Sequence, residues 1–251
     1  MKETQITRAI IKTYTEHLLD ALESDVIVAG AGPAGMAAGY YLAHAGLKTT
    51  ILEKRLSTGG GIWGGGVGFN VIVVEDTEVL DDLEVRTEQR GDLYTLDAVE
   101  LAAALTYRAE QAGARILNLC QVEDLVVKDA VVSGVVVNST PIMMAGLHVD
   151  PVCLAARKVV DATGHAAELV QMLRKKLPNF LSTGIGEGFM DVEPAEEGVV
   201  ERAGEVYDGL YLAGMSVCAT HGLPRMGPIF GGMLKSGRKV ASMIQEALSE
   251  G

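Results

Sequence analysis

A glycine-rich fingerprint between a strand and a helix constrains this chain more than any other feature of its sequence. The segment Gly30-Ala31-Gly32-Pro33-Ala34-Gly35 follows the apolar run Asp25-Val26-Ile27-Val28-Ala29, and a helical pattern runs from Met36 to Ala45. Lys48-Thr49-Thr50-Ile51-Leu52-Glu53 then has the pattern of a second buried strand. Strand, tight turn, helix and strand in this order predict a βαβ unit that binds a dinucleotide.

Each glycine of the fingerprint has a geometric reason. Gly30 permits the tight turn, Gly32 lets the backbone approach a pyrophosphate, and Gly35 lets the helix pack on the strand. The helix N-terminus offers free N–H groups to the phosphates. Glu53, at the end of the second strand, is placed to accept hydrogen bonds from the adenosine ribose hydroxyls, which favours NAD or FAD over NADP.

The remaining patterns extend the same fold. A helix is predicted from Leu96 to Gln111, followed by a strand from Arg115 to Leu119. Two short apolar strands that end in glycine are predicted at 158–164 and 209–214, and a last helix from about Gly231 to Leu248. The glycine-dense run from Gly59 to Gly68 is expected to lie buried between strands, where its backbone approaches a ligand.

A small antiparallel meander is predicted inside this fold. From Val122 to Val137, β-branched residues alternate with polar ones, and the pattern breaks at Lys128-Asp129 and at Ser133-Gly134. The fold class is therefore α/β, a Rossmann-like dinucleotide-binding fold of the flavoprotein type with an inserted meander. We expect residues 1–251 to form a single domain, in which 25–251 are the dinucleotide-binding fold.

Residues 1–24 are predicted to form an N-terminal amphipathic helix. Apolar residues recur at helical intervals from Ile6 to Leu22, with polar residues between them. Such a helix needs a surface on which to bury its apolar face. Packing on its own domain and packing on a neighbouring subunit both remain open.

The charge of the chain limits the partners that it can bind, and its cysteine content indicates the compartment in which it acts. The chain has 33 acidic and 21 basic residues, a formal net charge of -12, which disfavours nucleic acid and anionic membranes as partners. No apolar run reaches the roughly 18 residues of a membrane span, and no signal peptide is recognised. Three cysteines without a CxxC pair favour a reducing, cytoplasmic setting, where Cys120, Cys153 and Cys218 are expected to be small core residues.

Two further segments resemble the flavoprotein family with two dinucleotide-binding motifs. These are Arg55 to Gly61 and Asp161-Ala162-Thr163-Gly164. In that family a late strand ends in Gly-Asp, whose carboxylate holds the flavin ribityl chain, whereas this chain has Gly214-Met215. Because a thioether accepts hydrogen bonds only weakly, the fold is expected to be that of a flavoprotein without its flavin pocket.

A more specific resemblance is to the thiazole synthase family of thiamin biosynthesis. It is carried by Leu147-His148-Val149-Asp150-Pro151, by Thr163-Gly164-His165, and by Pro224-Arg225-Met226-Gly227-Pro228-Ile229-Phe230-Gly231-Gly232-Met233. With the fingerprint, the resemblance covers nearly the whole chain. Eukaryotic members have, at the position of His148, a cysteine that surrenders its sulfur. Histidine at this position resembles the members that use free sulfide, and implies a catalyst of many turnovers.

The resemblance also implies a set of site residues. Asp150 and His165 match iron ligands that adjacent subunits contribute, and a carboxylate with an imidazole suits Fe(II). Arg225 matches the residue that grips the glycine carboxylate, a task suited to a guanidinium. His148 is either an acid-base or sulfide-orienting group near the metal, or a residue that only fills the place of the cysteine. The positions that line the NAD or product site are Ala34, Glu53, Lys54, Gly61, Val122 and Met215.

The implied activity is that of a sulfide-dependent, Fe(II)-dependent ADP-thiazole synthase. It converts NAD, glycine and sulfide to an ADP-linked thiazole carboxylate and releases nicotinamide, in a homo-oligomer expected to be an octamer. Three alternatives stay open at this point. They are an FAD-dependent oxidoreductase, a ribose-phosphate isomerase, for which no basic cluster supplies a second phosphate site, and a non-catalytic NAD sensor.

Overall fold

Strands and helices alternate along the chain. The computed structural model describes residues 1–181 and 184–250. Its helices are α1 (Lys2–Ala21), α2 (Pro33–His44), α3 (Glu78–Asp82), α4 (Ala98–Gln111), α5 (Thr140–Met144), α6 (Glu168–Lys176), α7 (Val192–Glu201), α8 (Met215–His221) and α9 (Gly231–Ser249). Its strands are β1 (Glu23–Ala29), β2 (Thr49–Glu53), β3 (Val71–Val74), β4 (Glu88–Arg90), β5 (Leu93–Asp97), β6 (Arg115–Asn118), β7 (Cys120–Lys128), β8 (Val131–Ser139), β9 (Val152–Asp161), β10 (Gly204–Tyr207) and β11 (Leu210–Leu212).

A parallel sheet with the fingerprint strand at its centre organises the fold. The strands β6-β2-β1-β9-β11 pair in parallel in this order, and β10 pairs antiparallel at the edge. This confirms the predicted α/β class. Because the strands are parallel, their carboxyl ends meet at one edge, where folds of this kind bind ligands. Ala29, Glu53 and Asp161 all lie at this edge.

The predicted meander is present with one turn rather than two. Strands β7 and β8 pair antiparallel, and β8 also pairs with β9. The break at Lys128-Asp129 is a turn, with Asp129 and Ala130 at positive φ. The break predicted at Ser133-Gly134 is wrong, because β8 runs through it. A Cβ at Gly134 would lie 2.2 Å from the Leu154 carbonyl oxygen, so this glycine permits close packing of β9.

Helix α1 forms as predicted but has little contact with its own domain. Only its last turn packs on the core, through Leu18 and Ala21. The apolar residues of the earlier turns, including Ile10, Ile11 and Tyr14, are exposed. The possibility that α1 packs along its own domain is therefore wrong for most of its length.

A second sheet was not predicted from the sequence. Strands β3-β5-β4 form a small antiparallel sheet, and the segment that contains them lies between β2 and α4 in the sequence. Strand β5 occupies the start of the segment in which a helix was predicted from Leu96. The helix α4 begins at Ala98 because the Asp97 carboxylate caps it, accepting a 2.9 Å hydrogen bond from the Glu100 N–H.

The expected burial of the cysteines is right for one of the three. Cys218 is buried in α8, Cys120 is half-buried and Cys153 is exposed. Exposure of Cys153 follows from the alternation of side chains along the first half of β9, which faces solvent on one side. Within the described residues, no helix combines the length and apolar character that crossing a bilayer requires.

Alanine substitutions at Gly30 and Gly46 allow the cost of backbone strain to be compared with the cost of a steric clash. Both have positive φ, +101° and +84°, but a Cβ at Gly30 would lie 2.4 Å from the Ala162 carbonyl oxygen, whereas a Cβ at Gly46 meets nothing within 4 Å. Gly46→Ala is expected to cost about 1 kcal/mol of unfolding free energy, and Gly30→Ala more than about 3 kcal/mol. Denaturant unfolding measures both. Equal losses would contradict the backbone contact between the β1 and β9 ends.

Candidate functional site

A cavity of about 750 Å³ opens at the carboxyl edge of the parallel sheet. Its volume lies within the range of about 300–1,000 Å³ that is usual for small-molecule sites. The fingerprint turn, the ends of β2, β9 and β11, and the loop before α9 surround it. Among the residues expected to bind NAD, those that line it are Gly30, Gly32, Ala34, Glu53, Lys54, Gly61, Val122 and Met215.

The fingerprint glycines have the geometry that the sequence predicts. A Cβ at Gly35 would lie 1.9 Å from the Gly30 carbonyl oxygen, so helix and turn are in backbone contact. Gly35 itself does not line the cavity. A Cβ at Gly32, in contrast, would meet nothing within 4 Å. The open space at Gly32 is therefore available to a ligand at the N-terminus of α2.

The Glu53 carboxylate is fixed by the backbone around it. It is buried at the end of β2, and its Oε2 accepts a 3.0 Å hydrogen bond from the Ala31 N–H. Its Oε1 accepts a 2.8 Å bond from the Arg55 N–H. Each carboxylate oxygen has a further lone pair. Glu53 can therefore accept hydrogen bonds from ligand hydroxyls without side-chain rearrangement.

An ion pair forms part of the cavity wall beside Glu53. The Lys54 Nζ donates to Glu168 Oε1 at 2.5 Å, and both residues line the cavity. The Thr140 hydroxyl donates to the Lys54 carbonyl oxygen at 2.6 Å, which holds the backbone at this point. Lys54 directly follows β2, and Glu168 begins α6, so the ion pair joins these two elements at the cavity.

The glycine-dense run differs from its expected environment. It was expected to be buried between strands, but most of it between Gly61 and Gly68 is exposed. The run forms a loop at the sheet edge, so one of its sides faces solvent. Its beginning nevertheless approaches the fingerprint, since a Cβ at Gly60 would lie 3.1 Å from the Gly32 Cα.

A buried carboxylate that the sequence did not identify as functional organises the turn after β9. Asp161 is fully buried and accepts hydrogen bonds from the Thr163 hydroxyl at 2.6 Å, the Ser216 hydroxyl at 3.1 Å and two N–H groups at the start of α6. Burial raises the pKa of Asp161, and these hydrogen bonds oppose the rise. The signal in the sequence was the Asp161-to-Gly164 motif, which places His165 next to this turn.

His165 lines the cavity directly after this turn. Its Nδ1 lies 2.6 Å from Glu187 Oε1. The Gly164 N–H donates to the Ser216 hydroxyl at 3.1 Å, which ties the preceding residue to α8. Glu187 was not predicted, because nothing in its sequence surroundings marks it as different from other acidic residues.

Arg225 lines the cavity on the opposite loop. Its backbone pairs with that of Met190, through the Arg225 N–H to the Phe189 carbonyl and the Asp191 N–H to the Arg225 carbonyl. Within residues 1–181 and 184–250, no carboxylate forms an ion pair with the Arg225 guanidinium. Its five N–H donors are therefore available to an anionic ligand.

His148 and Asp150 are not among the residues that line the cavity. Both are exposed, and neither lines the cavity that contains His165 and Arg225. The part of the chain that the structure describes has no group of three or more His, Cys, Asp or Glu side chains that could hold a metal ion. Of the two predicted iron ligands, His165 lines the cavity of this chain and Asp150 does not.

Met215 occupies the position at which a flavin-binding carboxylate was considered. It is the first residue of α8, is buried, and lines the cavity. The preceding Gly214 has φ +68°, and a Cβ there would lie 2.6 Å from the Ala34 Cβ. This end of the cavity is thus apolar and closely packed.

A buried carboxyl lies behind the cavity wall at the start of α9. Glu196 is 3% exposed, and its Oε2 accepts a 2.6 Å hydrogen bond from the Gly232 N–H. Phe230 and Met233, on either side, line the cavity. Burial raises the pKa of Glu196 to about 7, and the nearby Glu75 carboxylate adds to the rise.

The raised pKa of Glu196 gives folding a pH dependence. A carboxyl of the unfolded chain titrates near pH 4.3, so the folded chain binds more protons between about pH 4.3 and pH 7. The free energy of unfolding is therefore expected to fall as pH rises through this window. Lys235, which contacts Glu75 and Asp76, reduces the effect.

Glu196→Gln should remove this slope, because the amide resembles the protonated acid. Relative to the unchanged protein, we expect Glu196→Gln to raise the free energy of unfolding by about 3 kcal/mol more at pH 8 than at pH 4. Denaturant unfolding across this range is the measurement. The exposed neighbour Glu197→Gln is the control, and parallel profiles for all three proteins would refute the assignment.

Comparison with known proteins gives a consistent result over the full length. The Thi4 family model matches residues 7–230. The thiamine thiazole synthase of Thermococcus kodakarensis is 52% identical over 253 residues, which cover 100% of each chain.

Solved structures give the same similarity. The crystal structure of Thermovibrio ammonificans THI4 superposes with a TM-score of 0.95 at 41% identity and covers 99% of both chains. The L-proline dehydrogenase of P. horikoshii superposes with a TM-score of 0.54 at 14% identity, covering 91% of this chain and 94% of its own. The second likeness concerns the fold alone.

Proposed function

The chain belongs to the Thi4 family and acts in thiazole formation for thiamin biosynthesis, and from this premise we propose a sulfide-dependent ADP-thiazole synthase. Its substrates would be NAD, glycine and free sulfide, and Fe(II) its metal. The observation that carries the proposal is that the fingerprint turn, Glu53, His165 and Arg225 line the same cavity.

NAD fits the fingerprint end of the cavity. The open space at Gly32 and the N-terminus of α2 suit its pyrophosphate, and the fixed Glu53 carboxylate suits the adenosine ribose hydroxyls. Hydrolysis of the bond between nicotinamide and ribose, in which water supplies the new hydroxyl, would leave an ADP-ribose whose opened sugar can tautomerise to a ketone. Met215 gives this end of the cavity an apolar surface and no carboxylate for a flavin ribityl chain, which favours NAD over FAD.

Glycine is proposed to bind at Arg225. A guanidinium can hold a carboxylate through two parallel N–H donors, and this orientation leaves the glycine amine free to condense with the ketone. Arg225 lines the same cavity as the fingerprint turn. The role of Arg225 is thus to bind and orient the second substrate before the carbon–nitrogen bond forms.

The residues available for Fe(II) fit in part. His165 lines the cavity and can offer one ring nitrogen, whereas the exposed Asp150 lies outside it. We propose that the second ligand, Asp150, comes from another copy of the chain. The exposed apolar residues of α1 support an assembly, which we propose to be a homo-octamer. Fe(II) bound by these residues would acidify the substrate adduct and present sulfide to it.

His148 distinguishes this chain from a single-turnover enzyme. An imidazole contains no sulfur that could be transferred, and we therefore propose that free sulfide supplies the sulfur and that the protein is regenerated after each cycle. Whether His148 transfers protons or only fills the position is decided by His148→Ala, which retains product formation only in the second case.

Sulfur addition, cyclisation and loss of water complete the ADP-linked thiazole carboxylate.

The proposal is tested by mass spectrometry of small molecules formed by anaerobic protein. The incubation contains NAD, glycine, Fe(II) and sulfide, and each component is omitted in turn. Formation of an ADP-thiazole that requires all four supports the proposal. Absence of the product, with flavin released on denaturation, would support instead the FAD-dependent oxidoreductase considered from the sequence.

A further inference from the structure

Glu187 is a mostly buried carboxylate with one charged partner in the described part of the chain. Its side chain is 13% exposed, and its Oε1 lies 2.6 Å from His165 Nδ1. An exposed surface ion pair would contribute little, because solvent screens it and both side chains lose conformational freedom. The His165 side chain is 59% exposed, but the Glu187 carboxylate is mostly buried behind it, so this contact is less screened than a surface ion pair.

The backbone on both sides of Glu187 is held in place. The Gly186 N–H donates to the Ala219 carbonyl oxygen at 2.8 Å, and the Gly188 N–H donates to the Leu223 carbonyl oxygen at 2.8 Å. Both acceptors belong to α8 or to the turn that follows it. The backbone that carries this carboxylate is therefore fixed beside His165, which favours one orientation of the imidazole ring.

This contact also determines which ring nitrogen has a free lone pair. A carboxylate accepts hydrogen bonds, so the neutral imidazole must have its proton on Nδ1. The lone pair is then on Nε2. A carboxylate that fixes the second nitrogen of a metal-binding histidine sets its tautomer and increases its basicity as a ligand.

We propose that Glu187 is a positioning residue that holds His165 with Nδ1 protonated and Nε2 available to a divalent metal ion. The inference rests on the proposed function, because only that function makes His165 a metal ligand. It adds a residue that neither composition nor the sequence motifs identified.

The first readout is the tautomer of His165 in metal-free protein. Long-range nitrogen–proton spectra of protein with labelled histidine, recorded at about pH 9 where an ordinary imidazole is neutral, distinguish the two tautomers. His165→Asn identifies the resonance by its disappearance. We expect the Nδ1–H form in the unchanged protein and in Glu187→Asp, and a mixture of the two forms in Glu187→Ala.

The second readout is the binding of Fe(II) alone, measured by anaerobic titration of the assembled protein. Loss of an outer-shell carboxylate is expected to weaken metal binding about 10- to 100-fold in Glu187→Ala, with partial recovery in Glu187→Asp. Glu197→Gln, an exposed change on α7, is the control and should bind Fe(II) like the unchanged protein. Thermal unfolding of each variant confirms that the fold is retained.

The outcomes separate this inference from the proposed function. If the unchanged protein binds Fe(II) and Glu187→Ala binds it equally well with the same tautomer, Glu187 has no positioning role and the proposed function stands. If the unchanged protein, and hence every variant, fails to bind Fe(II), the metal-dependent function and this inference are both wrong. Weaker binding together with a changed tautomer supports both.

Discussion

Neither Asp150→Ala nor His165→Ala is expected to form thiazole alone, whereas assemblies that contain both variants should recover about a quarter of the activity. The structure leaves Asp150 exposed and outside the cavity that His165 lines. Suppose that each site uses His165 of one chain and Asp150 of its neighbour. A site in a mixed assembly is then intact only when the first chain is the Asp150→Ala variant and the neighbour is the His165→Ala variant. Random mixing gives this combination in about one half times one half of the sites in a closed symmetric assembly.

Co-expression with two different affinity tags isolates the mixed assemblies, and product formation is measured per chain. Assemblies of Asp150→Ala with the double variant Asp150→Ala/His165→Ala are the control, because no combination in them supplies an aspartate. The idea of a shared site would be abandoned if mixed assemblies form but stay as inactive as the control.

Arg225→Ala is expected to lower kcat/KM for glycine about 100-fold or more. Two charge-assisted hydrogen bonds to the glycine carboxylate contribute about 3 kcal/mol together, which corresponds to roughly that factor. The guanidinium lines the cavity and forms no ion pair with carboxylates elsewhere in residues 1–181 and 184–250, so its loss leaves no buried acid unpaired. Because the effect is on substrate binding, most of it should appear in KM.

Initial rates over a range of glycine concentrations measure this effect, and binding of NAD provides an internal reference. Arg225→Lys keeps the charge but not the paired donors, and should fall between the two proteins. Arg202→Ala, an exposed change at the end of α7, is the control. A fall in NAD affinity with an unchanged KM for glycine would assign Arg225 to the other substrate.

The sequence predicted those parts of the fold that depend on local patterns. The βαβ unit was recognised because the periodicity changes on either side of the glycines at 30–35, and the structure places β1, α2 and β2 there. The small sheet at 71–97 was missed, since β4 is three exposed residues with no alternation that could mark it. Gly134 was misread as a turn because its reason, the approach of β9, involves residues distant in sequence.

The candidate site was predictable where a motif specifies a residue and not where packing does. The fingerprint turn, Glu53, His165 and Arg225 meet in one cavity although nearly 200 residues of chain separate the first from the last. Asp161, Glu187 and Glu196 acquire their environments from burial and from partners on other elements. Such environments have no local signature in a single sequence. Asp150 lies outside the cavity, and its proposed role depends on a second chain, whose position one sequence does not describe.

The most direct test of the central claim is a count of ADP-thiazole molecules formed per chain from sulfide that contains a heavy sulfur isotope. Anaerobic protein is incubated with Fe(II), NAD and glycine, and the mass of both product and protein is measured. We predict several products per chain, each with heavy sulfur, and an unchanged protein mass. At most one product per chain with ordinary sulfur, or a protein that loses the mass of one sulfur atom, would contradict a sulfide-using catalyst.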